Sequence, residues 1–449
     1  MKVLKTDISN FDKPRISPWF FITTLYFAQG IPYVIVNEMS VVMFKSLGAS
    51  NKFIGYTSLL TIPWIIKFFW GPLVDGKSTK RNWLLNMQII LAICFFVSSF
   101  SFFMPSYTII LLTVFVIAAF TSATHDIAID GYYLYVLNSN EQSLFVGIRS
   151  VFYRLAMIFS GGLLVFIAGE IGRVEHNPSM GWSIALMIAG IIFLILFFYH
   201  KLLLPKPLDD KPVSLNQIPY KDVFREYISQ NKIGIILAFI VLYRFGEQLL
   251  LRMAKPFLMD KIELGGLGIS TSEVGLMYGT FGVISLLAGG IFGGWAGNRW
   301  GIKKIIFPFA ILMHSTNLLY VFLSVVKPVG IYYIDLSAIS LIFGIQHLTI
   351  GIHPIIQFCI ILEQFAYGMG FTSFMVYLLY ISQGKYKTSQ YAISTGIMAL
   401  GMLISGFLSG MLQEHIGYTW LFILSFLTTI PGMILIFFLP YDKVPKKIN

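Results

Sequence analysis

Acidic and basic side chains lie inside long apolar stretches of this 449-residue sequence, where a charge is costly and usually functional. Asp126 and Asp130 are four residues apart and therefore share one face of a helix. The next apolar stretch carries Arg149 and Arg154. Carboxylates at such positions exchange protons, whereas guanidinium groups bind carboxylate or phosphate through two hydrogen bonds. The combination is typical of a pathway for protons and an anionic solute.

A second group of charges follows in the later part of the sequence. Arg244 and Glu247 flank Gly246, and a rise of about 1.5 Å per residue places both near the middle of their apolar stretch. Glu363 lies within another stretch. We expect Arg244 and Glu247 to bind the solute, and Asp126 and Glu363 to carry protons.

Depth along the fourth and fifth stretches predicts two ion pairs. Asp126 and Arg154 fall at one depth and would line the solute cavity, whereas Asp130 and Arg149 lie nearer one end and would close the cytoplasmic side. Alternatively, both pairs are permanent buried salt bridges that only fix helix packing. His125, beside Asp126, would assist proton transfer or pack through a hydrogen bond.

Polar and aromatic residues of the first and fifth stretches complete the predicted cavity. Gln29 and Tyr33 surround Gly30 and Pro32, where a break in the helix would free backbone groups to meet solute or water. Tyr153 would stack on a sugar ring.

Four further charged residues lie near the ends of apolar stretches. Lys67, Arg252 and Lys255 are expected to extend their side chains to the membrane surface. Glu38 is a proton entry point, an outer gate or a solvated helix end.

The amino-acid composition indicates that membrane-spanning helices hold these residues in place. The sequence is 56% apolar and only 12% charged, with a mean hydropathy of +0.76, which excludes an ordinary soluble domain. Runs of about 20 apolar residues recur, each long enough to cross the bilayer as a helix. We predict twelve spans, near 18–38, 53–72, 83–104, 107–136, 142–168, 181–200, 232–258, 272–296, 304–325, 355–382, 389–412 and 418–439.

Loops and termini on one side of the predicted membrane carry roughly three times as many Lys and Arg residues as loops on the other side. This bias places both termini in the cytoplasm. The net charge of +11 follows from this topology and gives no support to nucleic-acid binding. Residues 1–17 are polar and lack the pattern of a cleavable signal peptide. We therefore expect a multi-pass inner-membrane protein.

Residues 331–352 form an additional apolar segment, interrupted by Asp335, Gly344 and His347. A thirteenth span would place the C-terminal tail outside and contradict the charge bias. The segment is expected to be a periplasmic, interfacial or re-entrant insert.

The sequence repeats in halves. Gly-Pro-Leu-Val-Asp-Gly-Lys-Ser-Thr-Lys-Arg at 71–81 corresponds to Gly-Gly-Trp-Ala-Gly-Asn-Arg-Trp-Gly-Ile-Lys-Lys at 293–304, a shift of roughly 220 residues. Two six-helix bundles, 18–200 and 232–439, would flank a cytoplasmic linker at 201–231, with short cytoplasmic segments at 1–17 and 440–449. A solute site between the bundles, near the middle of the membrane, follows from such a repeat.

These paired loops resemble the signature of the major facilitator superfamily. Four stretches further resemble its AmpG-type anhydro-muropeptide permease branch, which is related to acetyl-CoA transporters: Phe-Thr-Ser-Ala-Thr-His-Asp-Ile-Ala-Ile-Asp at 120–130, Tyr-Arg-Leu-Ala-Met-Ile-Phe-Ser-Gly-Gly at 153–162, Glu-Gln-Phe-Ala-Tyr-Gly-Met-Gly-Phe-Thr-Ser-Phe at 363–374 and Thr-Ser-Gln-Tyr-Ala at 388–392. The resemblance implies that Asp75, Arg81, Asn298 and Arg299 cap neighbouring helix ends and help to gate the transporter.

The implied function is import of GlcNAc-anhydroMurNAc peptides into the cytoplasm for peptidoglycan recycling. We expect a monomer with no cofactor and no metal. Because no nucleotide-binding motif is found in the sequence, we expect a proton gradient to drive transport. Acetyl-CoA, another organic anion or a peptide is an alternative solute. A membrane-embedded transferase that uses His125 and Asp126 as an acid–base pair is a more distant alternative, because no nucleophile or metal cluster accompanies them.

Overall fold

A computed structural model describes residues 16–207, 210–212, 220–328, 330–335, 349–382 and 387–441. Ten of its helices are long and apolar enough to cross a membrane. One of them, Lys387–Leu435, contains Gly417 at φ 75° and ψ 172°, a conformation that favours glycine and divides the helix into two crossings.

One further crossing is built from short pieces. Residues 51–77 run through the helices Asn51–Tyr56, Ile62–Ile66 and Gly71–Lys77, joined by 3-10 turns. Pro63, at the start of the middle piece, has no amide hydrogen to continue the preceding helical bonds. The twelve predicted spans are therefore all present.

We number the spans along the chain. Their bounds are span 1, Pro18–Ser46; span 2, 51–77; span 3, Lys80–Ser101; span 4, Tyr107–Val136; span 5, 139–174; span 6, Pro178–Leu203; span 7, Ile233–Met259; span 8, Thr271–Trp300; span 9, Ile302–Val326; span 10, Pro354–Ile381; span 11, 387–416; and span 12, 418–438. The helix Tyr220–Ile228 lies between spans 6 and 7. Spans 1–6 and spans 7–12 form two bundles, as the sequence repeat predicts.

Span 1 differs from the prediction in one respect. The expected break at Gly30 and Pro32 does not occur, because the α-helix continues over Ile22–Val34. A wider π-helical turn, Ile35–Met39, follows it. Such turns absorb one extra residue and often occur at functional sites. The irregularity of span 1 is therefore displaced toward Glu38.

The insert between spans 9 and 10 contains two short strands, which the all-helical expectation did not include. Strand β1, Tyr332–Asp335, pairs in antiparallel fashion with β2, Thr349–Ile352. Antiparallel pairing brings the two ends of the insert side by side, as an insert that does not cross the membrane requires. Residues 336–348 lie outside the described part of the chain.

The polar connections near the linker tie the helix ends together. Arg81 donates from Nη2 to the carbonyl of Lys201 (2.8 Å) and from Nε to that of Leu204 (3.2 Å), and so caps span 6. The Asp210 carboxylate accepts from the amides of Lys80 (2.7 Å) and Arg81 (3.1 Å) and caps span 3. The capping role implied for Arg81 is present, whereas Asp210 was not predicted.

Candidate solute pathway

The two ends of the molecule differ in how the bundles meet. We call the end at which span 6 leads to span 7 the linker end, and the opposite end, where spans 1 and 2 and spans 7 and 8 are joined, the loop end. Contacts between the bundles are concentrated toward the loop end.

Charged residues of span 7 join the two bundles there. Lys255 Nζ lies 2.5 Å from Glu38 Oε2 of span 1. Arg252 donates to the backbone carbonyls of Asn37 (3.0 Å) and Ile54 (3.2 Å). The prediction that Lys255 and Arg252 extend to the membrane surface is therefore wrong, and Glu38 is not a solvated helix end. Of the alternatives for Glu38, the gate agrees with this geometry.

A second polar layer lies closer to the loops. Lys45 Nζ is 2.5 Å from Asp260 Oδ1. The Asn51 amide donates to Gln413 Oε1 (2.7 Å) and to the Tyr418 hydroxyl (2.8 Å), and Tyr418 donates to Asp260 (2.5 Å). This layer was not predicted, because its residues stand at helix ends, where polar side chains are usually solvated.

Small residues allow the backbones of spans 5 and 8 to meet between the bundles. A Cβ added to Gly279 would lie 1.9 Å from the carbonyl oxygen of Gly161. A Cβ on Gly169 would lie 2.4 Å from the amide nitrogen of Ser272. Such close approach is available only to residues without bulk. Together with the charged layers, this contact closes the loop end.

Toward the linker end, Tyr26 bridges the predicted pair of Asp130 and Arg149. Its hydroxyl donates to Asp130 Oδ1 at 3.1 Å and accepts from Arg149 Nη1 at 3.3 Å, and the two charged groups are 4.0 Å apart. Their side chains are 51% and 38% exposed, and all three residues belong to the first bundle. The pairing is as predicted. The pair does not cross between the bundles, so it does not close the linker end.

Asp126 makes a different pair from the predicted one. Its Oδ2 lies 3.4 Å from Lys67 Nζ of span 2, so Lys67 turns inward instead of reaching the membrane surface. Gln29 lies beside the same carboxylate. Arg154 instead places Nη1 3.1 Å from the sulfur of Met157.

Helical rotation explains the difference. Arg149 and Arg154 are five positions apart, or about 140° around the helix after one full turn, so both cannot face Asp126 and Asp130, which share a face. Depth alone therefore identified only one pair correctly.

Arg244 is a buried cation, 2% exposed, at the centre of span 7. Its Nη2 donates to the Tyr367 hydroxyl at 2.5 Å, and its guanidinium lies 4.6 Å from the centre of the Phe371 ring. The sulfurs of Met398 and Met402 of span 11 are 3.8 and 3.5 Å from Nη1. Within the described part of the chain Arg244 makes no ion pair, and its Nε has no hydrogen-bond partner.

Aromatic side chains from both bundles surround this cation. Tyr33 packs edge-on against Trp64, with ring centres 5.1 Å apart, and is close enough to interact electrostatically with Arg244. Tyr367 interacts with both Arg244 and Arg154. Tyr33, Arg154 and Arg244, three of the predicted cavity residues, thus converge. Tyr367 was missed because an aromatic residue in a span is usually lipid-facing or core.

Tyr153 belongs to the same group. It interacts electrostatically with Tyr33, Asp126 and Arg154. Its carbonyl oxygen would lie 3.1 Å from a Cβ added to Gly30, so spans 1 and 5 pack directly against each other at this level.

Glu247 and Glu363 are 1% and 0% exposed and lie within the second bundle. Glu247 Oε2 is 3.8 Å from His314 Nδ1 of span 9, and Glu363 accepts from the Gln364 amide at 2.8 and 3.2 Å. Glu247 therefore faces the core of its bundle instead of the solute cavity in which we expected it.

The remaining predicted residues stand apart from this centre. His125 is fully buried, and the centre of its ring lies 6.4 Å from that of Phe193. Its ring nitrogens have no hydrogen-bond partner among the described residues. Asn298 and Arg299 are exposed at the end of span 8. The Asp75 side chain lies outside the described part of the structure.

Comparison with known proteins agrees with this architecture. The family model of the Major Facilitator Superfamily matches residues 19–353 and again 267–449. The anhydromuropeptide permease of Escherichia coli strain K12 is 26% identical over 435 residues, which cover 95% of this chain and 80% of the relative.

Two solved structures share the fold. A POT family transporter in complex with a thioalcohol-conjugated peptide is 11% identical, with a TM-score of 0.68 over 94% of this chain and 96% of its own. A D-xylose–proton symporter is 13% identical, with a TM-score of 0.66 over 96% and 98% of the two chains. The chain therefore belongs to the Major Facilitator Superfamily of membrane transporters.

Proposed function

We propose that this protein imports GlcNAc-anhydroMurNAc peptides across a bacterial inner membrane in symport with protons, as a monomer. The similarity to the Escherichia coli anhydromuropeptide permease, which extends over 95% of this chain, supports the solute class. Import would return cell-wall fragments to the cytoplasm for peptidoglycan recycling.

The observation that carries the proposal is the environment of Arg244. This guanidinium is 2% exposed, and among the described residues no carboxylate forms a direct ion pair with its charge, which is costly in a membrane. An anionic solute would neutralise it, because a guanidinium binds carboxylate through two parallel hydrogen bonds. The peptide of an anhydro-muropeptide supplies such carboxylates.

The surrounding rings suit the sugar part of this solute. Tyr367 accepts a hydrogen bond from Arg244, Tyr33 is within electrostatic range of Arg244, and Tyr153 precedes Arg154 in span 5. Tyrosine combines an apolar face with a hydroxyl that can bond to a polar solute. The disaccharide would lie among these rings, with the peptide carboxylates on Arg244.

The proposed topology assigns the two ends of the molecule to the two sides of the membrane. The excess of Lys and Arg supports cytoplasmic termini and a cytoplasmic linker, and in that topology the linker end is the cytoplasmic end. The loop end would then be the periplasmic gate, closed here by Lys255 with Glu38 and by the contact of Gly279 with Gly161. Transport would alternate this state with one in which the loop end is open.

An acyl-CoA or another organic anion is the second candidate, because Arg244 would bind phosphate as well as carboxylate. The transferase is less well supported. The ring nitrogens of His125 have no partner among the described residues, so His125 and Asp126 do not form an acid–base pair.

The test is counterflow in proteoliposomes loaded with unlabelled solute. Labelled GlcNAc-anhydroMurNAc tetrapeptide should enter unchanged and be inhibited by excess unlabelled muropeptide, but not by acetyl-CoA. Entry of labelled acetyl-CoA with no effect of muropeptide would establish the second candidate. Covalent modification of the solute would establish the transferase.

A further inference from the structure

A group of polar side chains lies sealed inside the second bundle, apart from the cavity around Arg244. Glu247 of span 7, His314 of span 9 and Glu363 of span 10 are each at most 1% exposed. The carboxylates of Glu247 and Glu363 are close enough to repel each other electrostatically. We call these three residues the acidic core.

Hydrogen bonding does not satisfy this core. Gln364 donates to Glu363 and to the Tyr278 hydroxyl (3.0 Å), but Glu247 Oε2 has no hydrogen-bond partner among the described residues. Within the same part of the chain, both ring nitrogens of His314 and both amide atoms of Asn317 also have none. Fully buried polar atoms of this kind are rare and indicate a bound species that supplies the missing interactions.

Charge balance indicates a species with one positive charge. Two carboxylates face the core, and the closest cations are engaged elsewhere. Lys255 is near Tyr278 but pairs with Glu38 at 2.5 Å. Even when Arg244, one helical turn before Glu247, is counted, two negative charges against one positive charge leave one negative charge. One proton neutralises it.

Asp126, the other residue expected to carry protons, differs from the acidic core in its charge balance. Asp126 has Lys67 at 3.4 Å, so one carboxylate faces one ammonium group and the charges already balance. The Asp126–Lys67 pair therefore has no net charge, in contrast to the two carboxylates of the acidic core.

We propose that Glu247, Glu363 and His314 share one proton, and that this site, not Asp126, holds the proton that is transported with the solute. Only the transport of this proton rests on the proposed function. Its binding rests on the charges of the acidic core. Other titratable side chains that face the core are Tyr243 on span 7, Tyr278 on span 8, Tyr320 on span 9 and Cys359 on span 10; the facing residues of span 12, Ser425 and Thr429, are uncharged.

The position of Arg244 couples this site to the solute. When no anion is bound, the charge of Arg244 partly offsets that of Glu247. An anion bound to Arg244 removes this offset, and the acidic core then binds a proton more tightly. By linkage, a proton in the core strengthens anion binding to the same extent. Proton and anion would therefore travel together.

Infrared difference spectroscopy of the full-length protein in liposomes, without solute, tests the site directly. A protonated carboxylic acid has a carbonyl band that a carboxylate lacks. Wild-type protein should show this band and lose it as the pH is raised. E247Q and E363Q should each remove or shift the band. D126N should retain it, as should E263Q, which removes an exposed carboxylate at the loop end.

Three results would overturn the assignment: no band in wild-type protein, loss of the band in D126N, or loss of the band on addition of NaCl, which would make the site a sodium site. If E247Q and E363Q do not elute as folded protein, the wild-type band and its survival in D126N still decide the question.

Transport provides the second readout. E363Q should lose proton-driven accumulation but retain counterflow, because exchange of solute needs no net proton movement. Loss of both, with the protein folded, would indicate a structural role. If the solute is not a muropeptide, transport fails in every variant including wild type, whereas the infrared result is unchanged.

Discussion

Lys255 Nζ lies 2.5 Å from Glu38 Oε2 and thereby joins span 7 of the second bundle to span 1 of the first. The lysine side chain is 10% exposed and the glutamate side chain 46% exposed, so solvent partly screens the pair. Because the pair joins the two bundles at the closed loop end, opening of that end would separate its partners. It therefore contributes to the balance between the two states of the transporter.

Lys255→Met should shift this balance toward an open loop end. Loss of this partly exposed ion pair removes about 1 kcal/mol from the closed state. The measurement is the distribution of distances between spin labels at Ser106 and Glu263, exposed positions on the loops of the two bundles, in a cysteine-free background. A longer distance should gain population. Lys261→Met, at an exposed position of the loop end, is the matched control and should leave the distribution unchanged.

Gly279→Ala should also oppose closure, for a steric reason. The added Cβ would lie 1.9 Å from the Gly161 carbonyl oxygen, so spans 5 and 8 must separate. Overpacking of this kind costs about 1–3 kcal/mol. The same spin-label pair should report a more open loop end, and counterflow should slow. Gly396→Ala is the control, because a Cβ there meets nothing within 4 Å. Equal behaviour of the two variants would contradict the role of the contact.

Arg244→Gln should weaken solute binding. The neutral amide keeps a hydrogen-bond donor but loses the charge, and a loss of about 1.5–3 kcal/mol raises Kd roughly 10- to 100-fold. Titration of muropeptide into purified protein, followed by calorimetry, measures the change. Arg225→Gln, on the exposed face of the helix Tyr220–Ile228, should bind like wild type. An unchanged Kd in Arg244→Gln would exclude Arg244 from the site.

Lys67→Gln should lower thermal stability more than Arg149→Gln. Removal of Lys67 leaves the Asp126 carboxylate, whose side chain is 11% exposed, without a charged partner, at a cost of roughly 1–3 kcal/mol. The Asp130–Arg149 pair is 51% and 38% exposed, and such pairs contribute about 0–1 kcal/mol. The Tm values in detergent should fall in that order. The reverse order would mean that Asp126 is not ionised beside Lys67.

The number of spans and their depths followed from the sequence, because both depend on the length of apolar runs and on helical rise. The pairing of Asp130 with Arg149 followed as well. The rotation of each helix about its own axis could not be predicted, because a small error in helix orientation exchanges one facing residue for another. Asp126 thus pairs with Lys67 of span 2, a neighbour that depth along spans 4 and 5 did not consider.

Contacts between the two bundles could not be predicted from the sequence either. Lys255 and Glu38 are more than 200 residues apart, and each resembles a residue at the end of a helix when it is read alone. Similarly, the strands Tyr332–Asp335 and Thr349–Ile352 pair across a segment whose apolar composition resembles a helix. Local patterns describe single elements, whereas these features depend on which elements meet.

Uptake of labelled GlcNAc-anhydroMurNAc tetrapeptide by proteoliposomes under an imposed proton gradient, acidic outside, tests the central claim most directly. We predict accumulation above the external concentration, its collapse when a protonophore is added, and its loss in Arg244→Gln but not in Arg225→Gln. Equal uptake with and without the gradient would contradict proton coupling. Absence of muropeptide entry, together with accumulation of another anion, would contradict the proposed solute.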